Sequence, residues 1–142
     1  MIKYRFLSDV AIADICFEAY APNLKMLFKH AALAVEEIMV DTKTLGTKVN
    51  QQIKLEADSL EDLLIKYLEE LIFLKDSKQL LFSKFIIHVV NKKPFRLFGQ
   101  LIGEEIDQVK HKLKCDVKAV TRHLFELQKL SKGWKARIVV DV

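Results

Sequence analysis

Ser83-Lys84-Phe85-Ile86-Ile87-His88-Val89-Val90, then Asn91-Lys92-Lys93-Pro94, then Phe95-Arg96-Leu97-Phe98-Gly99-Gln100-Leu101-Ile102, is the stretch that decides the fold. From about Leu81 apolar residues recur at every second position, and many are β-branched or aromatic. A polar turn closed by proline interrupts the pattern. The stretch therefore predicts an antiparallel hairpin over 83–90 and 95–102.

Upstream the period is different. Leu60, Leu63, Leu64, Tyr67, Leu68 and Leu71 form a helical stripe, with a lesser stripe at Ile65, Ile72 and Phe73. Ser59 is placed to cap this helix, with Asp62 three residues on as a variant capping box. Leu24, Leu27, Phe28, Ala31, Val35 and Ile38 mark an earlier helix behind Ala21-Pro22-Asn23. The expected helices cover 23–40 and 59–75. Gln51, Ile53, Leu55 and Ala57 alternate as a strand between them. Tyr4 and Phe6, then Ile15, Phe17 and Ala19, predict two opening strands joined through 8–13.

Downstream, 103–114 is a charged excursion, and 117–130 with 134–142 predict a second hairpin turned at Ser131-Lys132-Gly133. The order is two strands, helix, strand, helix, four strands. It predicts an α+β fold: an antiparallel or mixed sheet with both helices on one face. The strand–helix–strand pieces suggest two related halves, although no residue-level repeat is visible. A single domain over 1–142 is expected from the length and the lack of a linker.

Half of the residues are apolar, which excludes a disordered chain, while charges interrupt every apolar run before it reaches the length of a membrane span. Met1-Ile2-Lys3-Tyr4-Arg5 lacks the apolar stretch of a signal peptide. Cys16 and Cys115 stand alone, without the spacing of a zinc site, and two lone thiols suit a reducing interior. A cytoplasmic location is expected. The net charge of +4 conceals a basic segment over 110–137, where nine Lys/Arg face only Asp116 and Glu126. Such a run either meets phosphates or is the solvated side of a strand pair.

Nucleotide-binding glycine loops, a GxSxG elbow and an HExxH zinc helix are all missing. His30 and His88 fit structural roles by their positions. His111 and His123 lie in the basic segment, where a general-base or phosphate-contacting role is conceivable, but no nucleophile stands at a recognisable spacing. The strand 118–123 also lacks the stacking rings of a sheet-type RNA binder.

Carboxylates offer another chemistry. The strand ending Ile138-Val139-Val140-Asp141-Val142 delivers Asp141 and the carboxylate of Val142 to one sheet edge. Adjacent anions repel unless a cation sits between them, and oxygen-only donors suit Ca²⁺ or Mg²⁺ rather than Zn²⁺. The alternative is an aspartate facing solvent at a fraying end. Asp9 and Asp14 are the acidic candidates near the N-terminus. Asp14 opens a strand, an unfavourable place for aspartate. It either caps a turn or meets Asp141 across adjacent strands, which would bring Asp14, Asp141 and Val142 to one divalent ion.

A series of short motifs resembles the archease family. It comprises Phe6-Leu7, Ala13-Asp14-Ile15, Ala19, Ala31-Ala32-Leu33-Ala34, Leu68-Glu69-Glu70-Leu71 with Phe73-Leu74 and Asp76, and Phe82-Ser83-Lys84-Phe85. Lys110-His111, Val117-Lys118-Ala119-Val120-Thr121, Trp134-Lys135-Ala136-Arg137 and Val139-Val140-Asp141-Val142 complete it. The resemblance runs the whole length in the right order. It implies a non-catalytic protein that assists an RtcB-type RNA ligase in tRNA splicing, promoting ligase guanylylation and multiple turnover. It also implies a divalent metal, most often Ca²⁺, held by residues matching Asp14, Asp141 and Val142. Many members read His-Thr-Ala-Asp where this chain has Ala11-Ile12-Ala13-Asp14, so any role of that histidine does not carry over.

The leading functional expectation is thus a metal-binding activator of an RtcB-type ligase, with contact to tRNA indirect or weak. A small basic nucleic-acid-binding module, resting on 110–137, is the alternative. A metal-assisted hydrolase ranks third for want of a nucleophile and a general base.

Overall fold

A computed structural model describes residues 3–7 and 14–142. Its elements are β1 (Tyr4–Leu7), β2 (Asp14–Ala21), α1 (Leu24–Met39), a short 3-10 turn (Thr42–Thr44), β3 (Val49–Ala57), α2 (Leu60–Lys78), β4 (Leu80–Val90), β5 (Phe95–Glu105), β6 (Ala119–Leu130) and β7 (Gly133–Asp141). The strands and helices read from the periodicity are present in that order. The 8–13 connection, with Asp9 and the Ala11-Ile12-Ala13 part of the N-terminal motif, lies outside the described residues.

Local chemistry sets the helix ends. Asn23 Oδ1 accepts from the Met26 N–H at 2.9 Å and starts α1. Ser59 Oγ accepts from the Asp62 N–H at 3.1 Å and starts α2, whose first turn carries Glu61 and Asp62 against the positive end of the helix dipole. Gln79 ends α2 in the left-handed conformation, and its N–H reaches back to the carbonyls of Leu74 and Lys75.

The strands form two antiparallel sheets, in the orders β1-β2-β7-β6 and β3-β5-β4. The sequence pointed to one sheet, antiparallel or mixed. Hairpin partners are set by their turns, but the pairing of β2 with β7 joins chain segments more than a hundred residues apart and leaves no local signal. That pairing closes the four-stranded sheet without β3, β4 or β5. The unit β2–α1–β3 therefore crosses between sheets, whereas β3–α2–β4 begins and ends in the three-stranded one.

Both helices lie on one face of the sheets and touch strands of each. One core results. It takes Phe17, Ala19, Ile138 and Val140 from the four-stranded sheet, Phe85, Ile87, Leu97 and Leu101 from the three-stranded sheet, and Leu27, Phe28, Val35, Leu63, Leu64, Tyr67 and Leu68 from the helices. The stripe at Leu60–Leu71 enters this core as expected. Of the lesser stripe, Ile65 and Ile72 are buried, while Phe73 is 59 % exposed. No helix among the described residues is long and apolar enough to cross a membrane.

Two irregularities shape the four-stranded sheet. Gly133 turns the β6–β7 hairpin at φ +123°, where a Cβ would stand 2.4 Å from the Ala21 carbonyl oxygen. In β6 the register jumps between Thr121 and Glu126, so residues 122–125 bulge out opposite the single residue Ile138, with Leu124 at φ 58°.

Candidate metal centre

Antiparallel pairing of β2 with β7 places Asp14 directly across from Asp141. Directly opposed residues project from the same sheet face, with Cβ atoms about 4.5–5.5 Å apart. Core residues Phe17, Ala19, Ile138 and Val140 occupy the helix side, so the two aspartates belong to the outer face, at one end of the sheet. Both are half-buried. On the other side of Asp141 stands Ala119, which brings no polar side chain to the pair. The Asp141 carbonyl accepts the Lys118 N–H at 2.8 Å, and the half-buried Val142 side chain rests against the core. The end of β7 is therefore held at both its main chain and its side chain.

Among the described residues no Lys, Arg or His forms an ion pair with Asp14 or Asp141. Like charges opposed across strands are unfavourable, and a divalent cation between them reverses the sign of that interaction. The donor set fits a hard ion that takes carboxylate, main-chain and water oxygens. Two aspartates alone are an incomplete shell: no group of three or more His, Cys, Asp or Glu suited to a metal occurs among the described residues.

Farther along the same outer face lies a second charged cluster, which the sequence reading missed. Glu18 is only 3 % exposed, yet it receives Arg5 Nη2 at 2.9 Å, the Tyr20 hydroxyl at 2.7 Å, Lys135 Nζ at 3.3 Å and Arg137 Nη2 at 3.3 Å. Burial alone would raise this carboxyl; the donors from Tyr20, Arg5 and Lys135 outweigh it and hold the pKa at about 2. The cluster ties β1, β2 and β7 together. Its signal in the sequence was Lys135 and Arg137 alternating with Ala136 and Ile138, together with Glu18 set among apolar residues in the middle of β2.

The histidines take other places. His30 is buried and donates from Nδ1 to the Tyr20 carbonyl at 2.6 Å, with burial lowering its pKa. His111 is buried too. Its Nδ1 accepts the Asp107 N–H at 3.0 Å, which leaves the proton on Nε2 to donate to Glu104 at 2.9 Å. That bonding fixes His111 as a loop anchor and takes it away from the general-base role. His123 is exposed in the β6 bulge.

The basic segment does not form one basic patch. Lys110 pairs with Glu104, Lys114 with Glu37, Arg122 with Asp62, Lys135 with Glu18, and Arg137 with both Glu18 and Glu126. Five of its nine cations thus meet acids, all but Lys110 an acid remote in sequence, so the +7 excess of 110–137 is partly dispersed through the fold.

A family model described as the archease protein family (MTH1598/TM1083) matches residues 4–142. The chain belongs to the archease family. The archease of Sulfurisphaera tokodaii is 35 % identical over 142 residues, covering 100 % of both chains. That of Methanosarcina barkeri is 32 % identical over 142 residues, covering 99 % of this chain and 96 % of its own. The solution structure of Methanobacterium thermoautotrophicum protein 1598 superposes with a TM-score of 0.85 at 33 % identity, covering 99 % of each chain. The crystal structure of the Thermotoga maritima archease, described as a possible chaperone, shares the fold alone, with a TM-score of 0.63 at 17 % identity over 92 % of this chain and 91 % of that one.

Proposed function

We propose that this archease holds a divalent ion, Ca²⁺ foremost, through Asp14, Asp141 and a main-chain carboxylate oxygen of Val142, and that it activates an RtcB-type RNA ligase. The cross-strand pairing of Asp14 with Asp141 is the observation that carries the metal assignment. Membership of the archease family is what supports the ligase as partner. Bound there, the ion supplies electrostatic stabilisation and orientation for phosphate oxygens.

The chain's own residues have separate tasks in this reading. Asp14 and Asp141 present oxygen donors at the tip of the sheet. The Glu18 cluster holds β1, β2 and β7 in register behind them, so that the donors are pre-positioned. An activator works by favouring the reactive conformation or the guanylylation transition state of the ligase over its resting state. No nucleophile on this chain is required for that. The ligase, not this protein, joins the tRNA halves.

The test measures ligase–GMP formation and RNA joining under multiple turnover, with the ligase in catalytic amount. Wild-type protein with Ca²⁺ should raise both, and Asp14→Ala or Asp141→Ala should abolish the effect while the fold persists. No stimulation by the folded, metal-loaded wild type sinks the proposal.

A further inference from the structure

The outer face of the three-stranded sheet carries cations that form no ion pair among the described residues. Register places Lys54, Phe98 and His88 in one row, Gln52, Gln100 and Ile86 in the next, with Glu56, Arg96 and Val90 on one side and Asn50, Ile102 and Lys84 on the other. The core-facing rows, with Leu97 and Leu101 fully buried, alternate with these, so all twelve residues project away from the helices. Lys54, Lys84, His88 and Ile86 are exposed, Ile86 to 57 %.

Phe98 sits at the centre with Lys54 Nζ and Arg96 Cζ each 5.8 Å from its ring centroid. Among the described residues neither Lys54, Lys84 nor Arg96 forms an ion pair, and Arg96 Nε finds no hydrogen-bond acceptor. Lys92 and Lys93 add charge at the β4–β5 turn beside the Arg96 row, and Glu56 is the single acid on the face. On the four-stranded sheet, by contrast, Arg5, Lys135 and Arg137 all serve Glu18 and Arg122 pairs with Asp62.

We infer that this face binds single-stranded nucleic acid, with a base stacked on Phe98 and the flanking phosphates on Lys54, Arg96 and Lys84. An aromatic ring amid cations on an open antiparallel sheet offers a stacking surface and backbone neutralisation together. Gln52 and Gln100 add amide donors and acceptors at the height of a base edge, beside a depression of about 460 Å³ lined by these residues with Ile86 and Phe98. A duplex keeps its bases stacked inside and cannot use the ring. This surface is separate from the 110–137 segment and from the paired aspartates, and the inference stands whether or not the ligase reading holds.

Fluorescence anisotropy of the full chain with short fluorescein-labelled oligouridylate tests it, alongside the oligothymidylate, an RNA duplex of the same length and polyglutamate. The single strands should bind and the duplex and polyglutamate should bind markedly less. Phe98→Ala should weaken single-strand binding about 5- to 150-fold, and Phe98→Trp should retain it. Lys54→Ala or Arg96→Ala should each reduce the slope of log affinity against log salt by about 0.7. Circular dichroism separates lost binding from lost folding, and Lys54→Ala, at an exposed position, probes the face independently of Phe98. No binding by the wild type, or equal affinity of wild type and folded Phe98→Ala, overturns the inference. Polyglutamate binding as tightly as RNA overturns it in favour of an acidic protein partner.

Discussion

Arg137 lies directly across from Glu18 and brings a guanidinium nitrogen to 3.3 Å from its carboxylate. The pair belongs to a cluster in which one buried acid takes three cations and a hydroxyl. Glu18→Gln should therefore destabilise the protein by about 1–3 kcal/mol in chemical denaturation. The lower part of that range is favoured, because the cations remain partly solvated and screened.

Acid should dismantle the same contacts. Glu18 and Glu104 are both held near a pKa of about 2, well below the ordinary carboxylate value of 4.5. Their contribution is complete above the ordinary value and is lost as pH falls from there toward 2. Wild-type stability should drop through that window, and Glu18→Gln should flatten the drop. Denaturation midpoints across acidic buffers measure it.

Glu36 behaves in the opposite sense. It is fully buried in α1, its Oε1 accepts the Phe82 N–H at 3.2 Å, its Oε2 has no partner among the described residues, and burial raises its pKa well above the ordinary range. The unfolded chain releases this proton near the ordinary value while the folded chain keeps it, so stability falls as pH rises above 4.5 toward the folded value. The slope is about 1.4 kcal/mol per pH unit. Glu36→Gln should remove that slope and make the protein more stable than wild type at neutral pH, as thermal melts across pH can show.

His111 anchors its loop through Asp107 on one ring nitrogen and Glu104 on the other. His111→Ala should speed amide exchange across 106–117 and leave α2 protected. Unchanged exchange in the loop would contradict the anchoring role.

Much of this fold was legible because period and turn chemistry are local. Ser59 and Asn23 cap where their side chains allow it, and Phe95 to Ile102 alternates because one side of β5 is core. The division into two sheets was not legible, since the pairing of Cys16 with Val139 depends on the whole chain, although the meeting of Asp14 with Asp141 was one of the two alternatives read for Asp14. The same blindness affected the charges. Lys110, Lys114, Arg122 and Arg137 read as one basic run, and only the fold shows which acid each one meets. Asp14 was recognisable as a candidate through its unfavourable strand position, Asp141 through the neighbouring Val142 carboxylate, and both through the family resemblance. The Phe98 face escaped notice because its cations come from three strands and are nowhere dense in sequence.

The paired aspartates carry the central claim, and metal-dependent stability tests it most directly. Thermal or chemical denaturation of wild type and Asp141→Asn should be followed in chelator and in Ca²⁺. In chelator the variant should be more stable by about 0.2–1 kcal/mol, because a like-charge cross-strand pair is relieved. With Ca²⁺ at about a hundred times its dissociation constant, the wild type should gain about 2.7 kcal/mol and the variant almost nothing, so that the order reverses. A wild type that Ca²⁺ does not stabilise, or a variant stabilised equally, would contradict the assignment of Asp14 and Asp141 to a metal centre.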